Sequence, residues 1–232
     1  MSYNPWPLGR LPKNWWREEL ETVKKLGYSF DDPRELNDIL EEKLARFSGA
    51  KHAVLVDCAS NGIFLALKYL GISGDVIIPS RTYISVPMQI IHAGANPVLN
   101  DFDWEGMYPL GNTRIYDSAA RFAPGMYVGG DALQILSFQI KKRLPIGRGG
   151  AILTDDNEAA TWLKLARYDG RDLSSPYDSP SHVKQLGWHM YMTPEDAARG
   201  IILFDQLSDD FSDVATSNSY PDISGWLAQI KA

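Results

Sequence analysis

One cysteine, Cys58, stands in a chain of 232 residues. A single thiol excludes an intrachain disulfide framework and suits a reducing cytoplasm, and Cys58 reads as a small buried residue. Positive charge is also in short supply: 23 Lys and Arg against 29 Asp and Glu leave a net charge of -6. That balance argues against a general nucleic-acid binder while leaving room for a phosphorylated small molecule. No apolar stretch reaches the roughly 20 residues that span a bilayer. The N-terminus, Met1-Ser2-Tyr3-Asn4-Pro5-Trp6, lacks the basic segment and apolar run of a secretory leader. The expectation is a soluble, cytoplasmic protein with no membrane and no nucleic acid among its partners. His52, His92, His182 and His189 lack ligand spacing with Asp, Glu or Cys, so a metal enzyme is poorly supported. Internal repeats, low-complexity tracts and clear linkers are missing as well.

What is present suffices for one substantial core, since 44% of the residues are hydrophobic. Residues 14–26 carry apolar side chains at helical spacing, and Asp32-Pro33-Arg34-Glu35 opens a second helix that runs to about Phe47. Short apolar runs at 53–56, 76–79, 97–99 and 151–153 read as strands, with 114–116 a further candidate. Helical segments are expected at 61–70, 85–92 and 157–168. This alternation favours an α/β sheet covered by helices. Residues 169–185, rich in Gly, Asp, Ser and Pro, read as a long exposed loop of the kind that carries function. Thr193-Pro194-Glu195-Asp196 then caps a helix through Leu207. A short closing helix at 223–230 would pack through Trp226, Leu227 and Ile230. Trp15, Trp16, Trp188 and Trp226 suit either an interface or the core.

The most informative stretch is Ser137-Phe138-Gln139-Ile140-Lys141-Lys142-Arg143-Leu144-Pro145-Ile146-Gly147-Arg148-Gly149-Gly150. It sets a lysine between a strand end and a glycine-rich turn. A lysine that forms a Schiff base needs a partly desolvated pocket, and the neighbouring cations Lys141, Arg143 and Arg148 would lower its pKa further. Lys142 is therefore the candidate nucleophile, against the plainer alternative of a basic surface loop.

Three other segments supply what pyridoxal phosphate would need. Cys58-Ala59-Ser60-Asn61 follows a strand and opens a helix, where backbone N–H groups and the Ser60 hydroxyl can take a phosphate. Asp117, in Ile115-Tyr116-Asp117-Ser118, is an acid at a strand end that can keep a pyridine nitrogen protonated. Tyr83, in Ser80-Arg81-Thr82-Tyr83, offers an aromatic ring for stacking. Each alone is more commonly a helix cap or a core residue.

Taken in order, these segments resemble the DegT/DnrJ/StrS family of sugar aminotransferases, a branch of the fold type I pyridoxal-phosphate enzymes. The resemblance runs from Leu20 to about Leu207. It is strongest in Lys51-His52-Ala53-Val54 through Leu70-Gly71-Ile72, in Val76 through Tyr83, in Ser137 through Gly150, and in Leu186-Gly187-Trp188-His189-Met190-Tyr191-Met192-Thr193. It implies a three-layer αβα sandwich with a mostly parallel sheet, residues 1–207 being the cofactor-binding large domain. It makes Lys142 the Schiff-base lysine, Asp117 the partner of the pyridine nitrogen and Tyr83 the stacking aromatic. Ser60, Asn61 and Ser137 fall at cofactor-binding positions. It also implies a homodimer with shared active sites, in which His189 of a second copy stands where the family usually offers asparagine.

By that resemblance the chain moves an amino group from glutamate or glutamine to a keto-sugar, a nucleotide-linked one. Lys142 would be both covalent anchor and proton carrier. Three departures stand out. Ala120 replaces the usual Gln or His three residues after the aspartate, with Arg121 beside it. The connection from Asp101 to Tyr116 is short, as though a strand and helix were lost. After Leu207 a tail, 208–232, is all that remains of the small C-terminal domain. These shortenings motivate an alternative: a catalytically silent relative that binds pyridoxal phosphate or a sugar nucleotide and serves as an interaction partner.

Overall fold

The computed structural model describes residue 3 and residues 16–231, with side chains through residue 229. The expectations for Asn14, Trp15 and the Ile230 side chain lie outside the described residues. Helices α1 (Glu18–Lys25) and α2 (Glu35–Ser48) lead into strand β1 (His52–Val56), then α3 (Ala59–Tyr69), β2 (Asp75–Pro79), α4 (Ser85–Ala93) and β3 (Asn96–Asn100). Strands β4 (Tyr108–Pro109), β5 (Ile115–Asp117), β6 (Leu133–Ser137) and β7 (Gly150–Thr154) follow, then helices α5 (Asn157–Ala166), α6 (Pro194–Phe204) and α7 (Ser224–Lys231).

Strand periodicity builds the layers. Along β1, Ala53 and Leu55 enter one apolar cluster with α1, α2 and α6, while Val54 and Val56 enter the other with α3, α4 and α5. Strands β6 and β7 divide in the same way: Ile135 and Ile152 face α3, whereas Leu136, Ala151 and Leu153 face α2 and α6. The result is a sheet covered by helices on both faces, an α/β three-layer sandwich as expected. Helix starts follow local chemistry: Asp156 caps α5 by accepting from the N–H groups of Glu158 and Ala159, and Thr193 caps α6 ahead of Pro194.

The strand directions differ from the expectation of a mostly parallel sheet. The larger sheet has the order β1-β7-β6-β5-β4, and only β5 and β6 pair in parallel. The β1–β7, β6–β7 and β4–β5 pairs are antiparallel, and β2 pairs with β3 in parallel in a separate ribbon. Connection length accounts for the antiparallel β6–β7 and β4–β5 pairs. A parallel neighbour needs a crossover, usually a helix, whereas an antiparallel return needs only a turn. Residues 138–149 and 110–114 contain no helix. Ribbon β2–β3 lies against the β4–β5 turn, where a Cβ on Gly111, at φ +56°, would sit 2.9 Å from the Ile77 nitrogen.

A buried ion cluster pins the helices to β1. The Glu41 carboxylate accepts from the Leu55 N–H at 2.9 Å and from Arg167 at 2.5 Å, and pairs with Lys164 at 2.9 Å. Arg167 also donates to the Leu55 carbonyl at 2.6 Å. Burial pushes the Glu41 carboxyl up, but Arg167, Lys164 and the Leu55 N–H together hold it below its ordinary value. Among the described residues no helix is long and apolar enough to cross a membrane.

Removing one member of a buried ion pair leaves the other charge uncompensated, so Glu41→Gln is expected to cost about 3 kcal/mol in urea unfolding. Because the folded pKa of Glu41 is depressed, its contribution is present above the unfolded-state pKa and is lost as pH falls through the folded one. The gap between wild type and Glu41→Gln should therefore narrow on acidification. A gap independent of pH would contradict the assignment.

Candidate active site

The carboxyl end of β6 and the start of β7 define a cavity of about 520 Å³. Its floor rests on a close approach: a Cβ on Gly150 would lie 2.7 Å from both the Ala59 nitrogen and the Leu136 oxygen. Only glycine lets β7 begin directly beneath the first turn of α3. The chain between them is a tight loop. Phe138 N–H donates to the Gly149 carbonyl, Gly147 N–H to the Phe138 carbonyl and Lys142 N–H to the Gln139 carbonyl. Gly149, at φ +144°, passes so close to Met192 that a side chain would overlap it.

This loop brings Lys142 into the cavity with Ser60, Tyr83, Asp117 and Ser137. The Lys142 amine has no hydrogen-bond or ion-pair partner among the described residues. Burial lowers its pKa, the charge of Asp117 opposes that, and Lys141 adds to the lowering. Of the three cations expected to act on it, only Lys141 does so. Arg143 turns toward Asp210 at 3.4 Å and the Phe211 ring, and Arg148 bonds Asp57 at 2.8 Å.

Asp117 is buried and stands at the end of β5. Its Oδ1 accepts from the Ala119 N–H at 2.9 Å and its Oδ2 from the Tyr108 hydroxyl at 2.8 Å. Burial raises its pKa above the ordinary value, while those two donors and Lys142 pull it back down. The Ser60 hydroxyl, in the first turn of α3, lies 2.7 Å from that of Ser85, the first residue of α4. Two helix starts thus meet at one point of the wall, with the Ser137 hydroxyl also on the lining. Free N–H groups and hydroxyls so placed suit an anion. Tyr83 stands largely exposed at the rim.

Two expected residues are not on this wall. The Asn61 side chain donates to Asp57 at 2.8 Å and its N–H is taken by the Cys58 sulfur that caps α3, so Asn61 turns away from the cavity. His189 pairs through Nδ1 with Asp169 at 3.0 Å and packs edge-on to Tyr191, outside the cavity of its own chain. Arg121, next to Ala120, grips Asp213, at 2.6 Å for the closest contact, and donates to the Glu105 carbonyl. Trp188 packs against Phe64 and Trp162 and Trp16 against Phe30, while Trp226 is about half exposed.

The tail is part of the wall. From Asp213 to Ile223 it runs across the mouth as a strap, with Val214, Ala215, Ser219 and Tyr220 on the cavity. Val214 N–H donates to the Ala120 carbonyl, Gly106 N–H to that of Ala215, Ser217 N–H to that of Trp104 and Ile223 N–H to that of Ser80. The Tyr220 ring lies 5.6 Å from that of Trp104, and Ile223 and Leu227 are buried. Sequence patterning offered no signal for this strap, nor for Ser85. Tyr108 lies in the 101–116 connection, on a strand of two residues that leaves no pattern in the sequence.

An unpartnered amine, a buried carboxylate and two converging helix starts with their hydroxyls share one cavity of this α/β protein. The chain belongs to the DegT/DnrJ/EryC1/StrS aminotransferase family, which matches residues 17–109 and 120–213. Asp117 falls between the matched segments and the strap from Val214 onward lies beyond them. The chain is 28% identical to the spore coat polysaccharide biosynthesis protein SpsC of Bacillus subtilis (strain 168), over 88% of its own length and 64% of the relative's. It therefore spans less than two thirds of that relative. The alignment, 254 positions, is longer than this 232-residue chain, so the relative carries internal residues that are absent here. Among solved structures it resembles DesI in the presence of its TDP-sugar product, with a TM-score of 0.61 and 22% identity over 81% of this chain and 57% of that one. NtdA from Bacillus subtilis with bound PMP gives a TM-score of 0.61 and 18% identity over 80% of this chain and 51% of that one.

If Arg121 anchors the strap, Arg121→Ala should release it without unfolding the sheet. Hydrogen exchange at residues 214–220 is expected to speed up by about tenfold, the loss of one charged hydrogen-bonded contact. Unchanged protection there would refute the anchoring role.

Proposed function

We propose that this chain is a pyridoxal-phosphate-dependent aminotransferase that moves an amino group from glutamate or glutamine to a keto-sugar, a nucleotide-linked one. One observation carries the reading: the free amine of Lys142 shares a cavity with the buried carboxylate of Asp117, close enough for each charge to act on the other. Family membership supports it, as do the TDP-sugar named for DesI and the PMP named for NtdA.

The residues fit the cofactor. When bound, pyridoxal phosphate supplies an aldehyde carbon and a ring that withdraws electrons from the reacting amine. Ser60, Ser85, Ser137 and the first N–H groups of α3 would hold the phosphate, and Tyr83 would stack on the ring. Asp117 would hold the proton of the ring nitrogen. Lys142 would bind the aldehyde carbon and, once displaced by the amino donor, carry a proton at its Nζ. Burial favours the neutral, nucleophilic amine at a lower pH than an ordinary lysine allows. His189 would serve the cavity of a second copy, which makes the working unit a homodimer, cytoplasmic in location. Residues 1–207 would be the large domain, with residues 213–223 laid across its cavity as the strap.

Borohydride reduction of the protein with added pyridoxal phosphate should fix the cofactor on Lys142 in peptide mass spectrometry, and Lys142→Ala should abolish that adduct. An adduct on another lysine, or none, would sink the proposal. A correct adduct with no amino transfer from glutamate or glutamine to any nucleotide-linked keto-sugar would leave the silent, cofactor-binding relative instead.

A further inference from the structure

We propose that Tyr108 is a positioning residue whose hydroxyl, oriented by Thr82, keeps Asp117 in the carboxylate form that the cofactor needs. The inference rests on the cofactor reading above and concerns a residue outside the set that the sequence singles out.

The direction of the hydrogen bonds follows from counting protons. A phenol has one hydrogen, and Tyr108 gives it to Asp117 Oδ2 at 2.8 Å. At its other contact, 2.5 Å from Thr82 Oγ1, the phenol oxygen therefore accepts and Thr82 donates. The relay runs Thr82 to Tyr108 to Asp117 and ends on an acceptor. With the Ala119 N–H on Oδ1, each carboxylate oxygen receives a donor. Those bonds are strongest when the acceptor is charged, so the relay favours ionised Asp117.

The relay is rigid. Thr82 and Tyr108 are almost wholly buried, and the Tyr108 ring tilts against Trp104 at 4.9 Å. Trp104 is itself tied through its indole N–H to the Arg81 carbonyl at 2.9 Å. Every titratable group facing Asp117 belongs to a different element: Tyr108 on β4, Lys142 on the β6–β7 loop and Tyr220 on the strap. Lys141 acts on Lys142, and Tyr83 acts on Tyr220. Burial pushes the Tyr108 phenol far above its ordinary value, so it stays a donor throughout the working pH range. Of the groups around Asp117, Lys142 is the one committed to chemistry. Tyr108 supplies the stabilisation that persists when the Lys142 charge is gone.

The test follows pyridoxal phosphate affinity across the acidic and neutral range, by equilibrium dialysis, for the full-length wild type, Tyr108→Phe and Thr82→Val, with folding verified by circular dichroism. Losing a donor to the charged form raises the Asp117 pKa. The pH at which affinity collapses on the acid side should therefore rise by about one unit in Tyr108→Phe and by less in Thr82→Val, with affinity above neutrality little changed. A purely structural role would weaken binding equally at every pH. An unmoved acid limb in folded Tyr108→Phe overturns the relay; should that variant fail to fold, an unmoved limb in Thr82→Val overturns it instead. A wild type that binds no pyridoxal phosphate at any pH is a different failure, since it removes the cofactor reading and the relay's role with it.

Discussion

The site depends on one close approach, that of Gly150 to the first turn of α3. With no side chain at Gly150, β7 starts against the Ala59 N–H and the Leu136 carbonyl. The wall of the cavity hangs from that contact. It brings the start of α3, with Ser60, beside the end of β6, with Ser137, and it forces the chain between β6 and β7 into the tight loop that carries Lys142. The same short loop makes β7 return antiparallel to β6. Sheet direction and lysine placement are thus two consequences of one constraint.

Burial is the largest influence on the pKa values of both the Lys142 amine and the Asp117 carboxylate, so what covers the cavity matters to both. The strap supplies part of that cover, through Val214, Ala215, Ser219 and Tyr220. Eleven positions, from Asp213 to Ile223, are tied by backbone hydrogen bonds to Ala120, Gly106, Trp104 and Ser80, and by the Asp213–Arg121 pair. Gly106, at φ +70°, leaves room for the Asp213 carboxylate, which a Cβ would overlap. Ala120 is small enough to let the strap lie against it. Ala120, Gly106 and Trp104 are the seat of the strap that lies across the cavity.

Local chemistry made the core of this site legible in the sequence. Lys142 announced itself through the strand end and glycines around it, Asp117 through its place after an apolar strand, and Ser60 through the helix it opens; the structure brings all three to one cavity with Tyr83 and Ser137. The helices at 35–48, 85–93 and 194–204 followed from caps and periodicity. What stayed hidden depends on contacts between distant segments. Ser85 meets Ser60 only because two helix starts converge, and Tyr220 meets Trp104 only because the tail folds back. Tyr108 sits on a strand two residues long, too short for periodicity to register. A helix start offers its N–H groups without revealing which are already capped; here the Cys58 sulfur takes that of Asn61.

The central claim is that Lys142, Asp117 and the strap enclose a single cofactor site. A crystal structure of the full chain grown with pyridoxal phosphate tests it most directly. The account predicts continuous density from the Lys142 Nζ into the ring, the ring nitrogen at Asp117, the phosphate at Ser60 and Ser85, and the strap ordered above it. Cofactor density elsewhere, or a strap displaced from a loaded cavity, would contradict it.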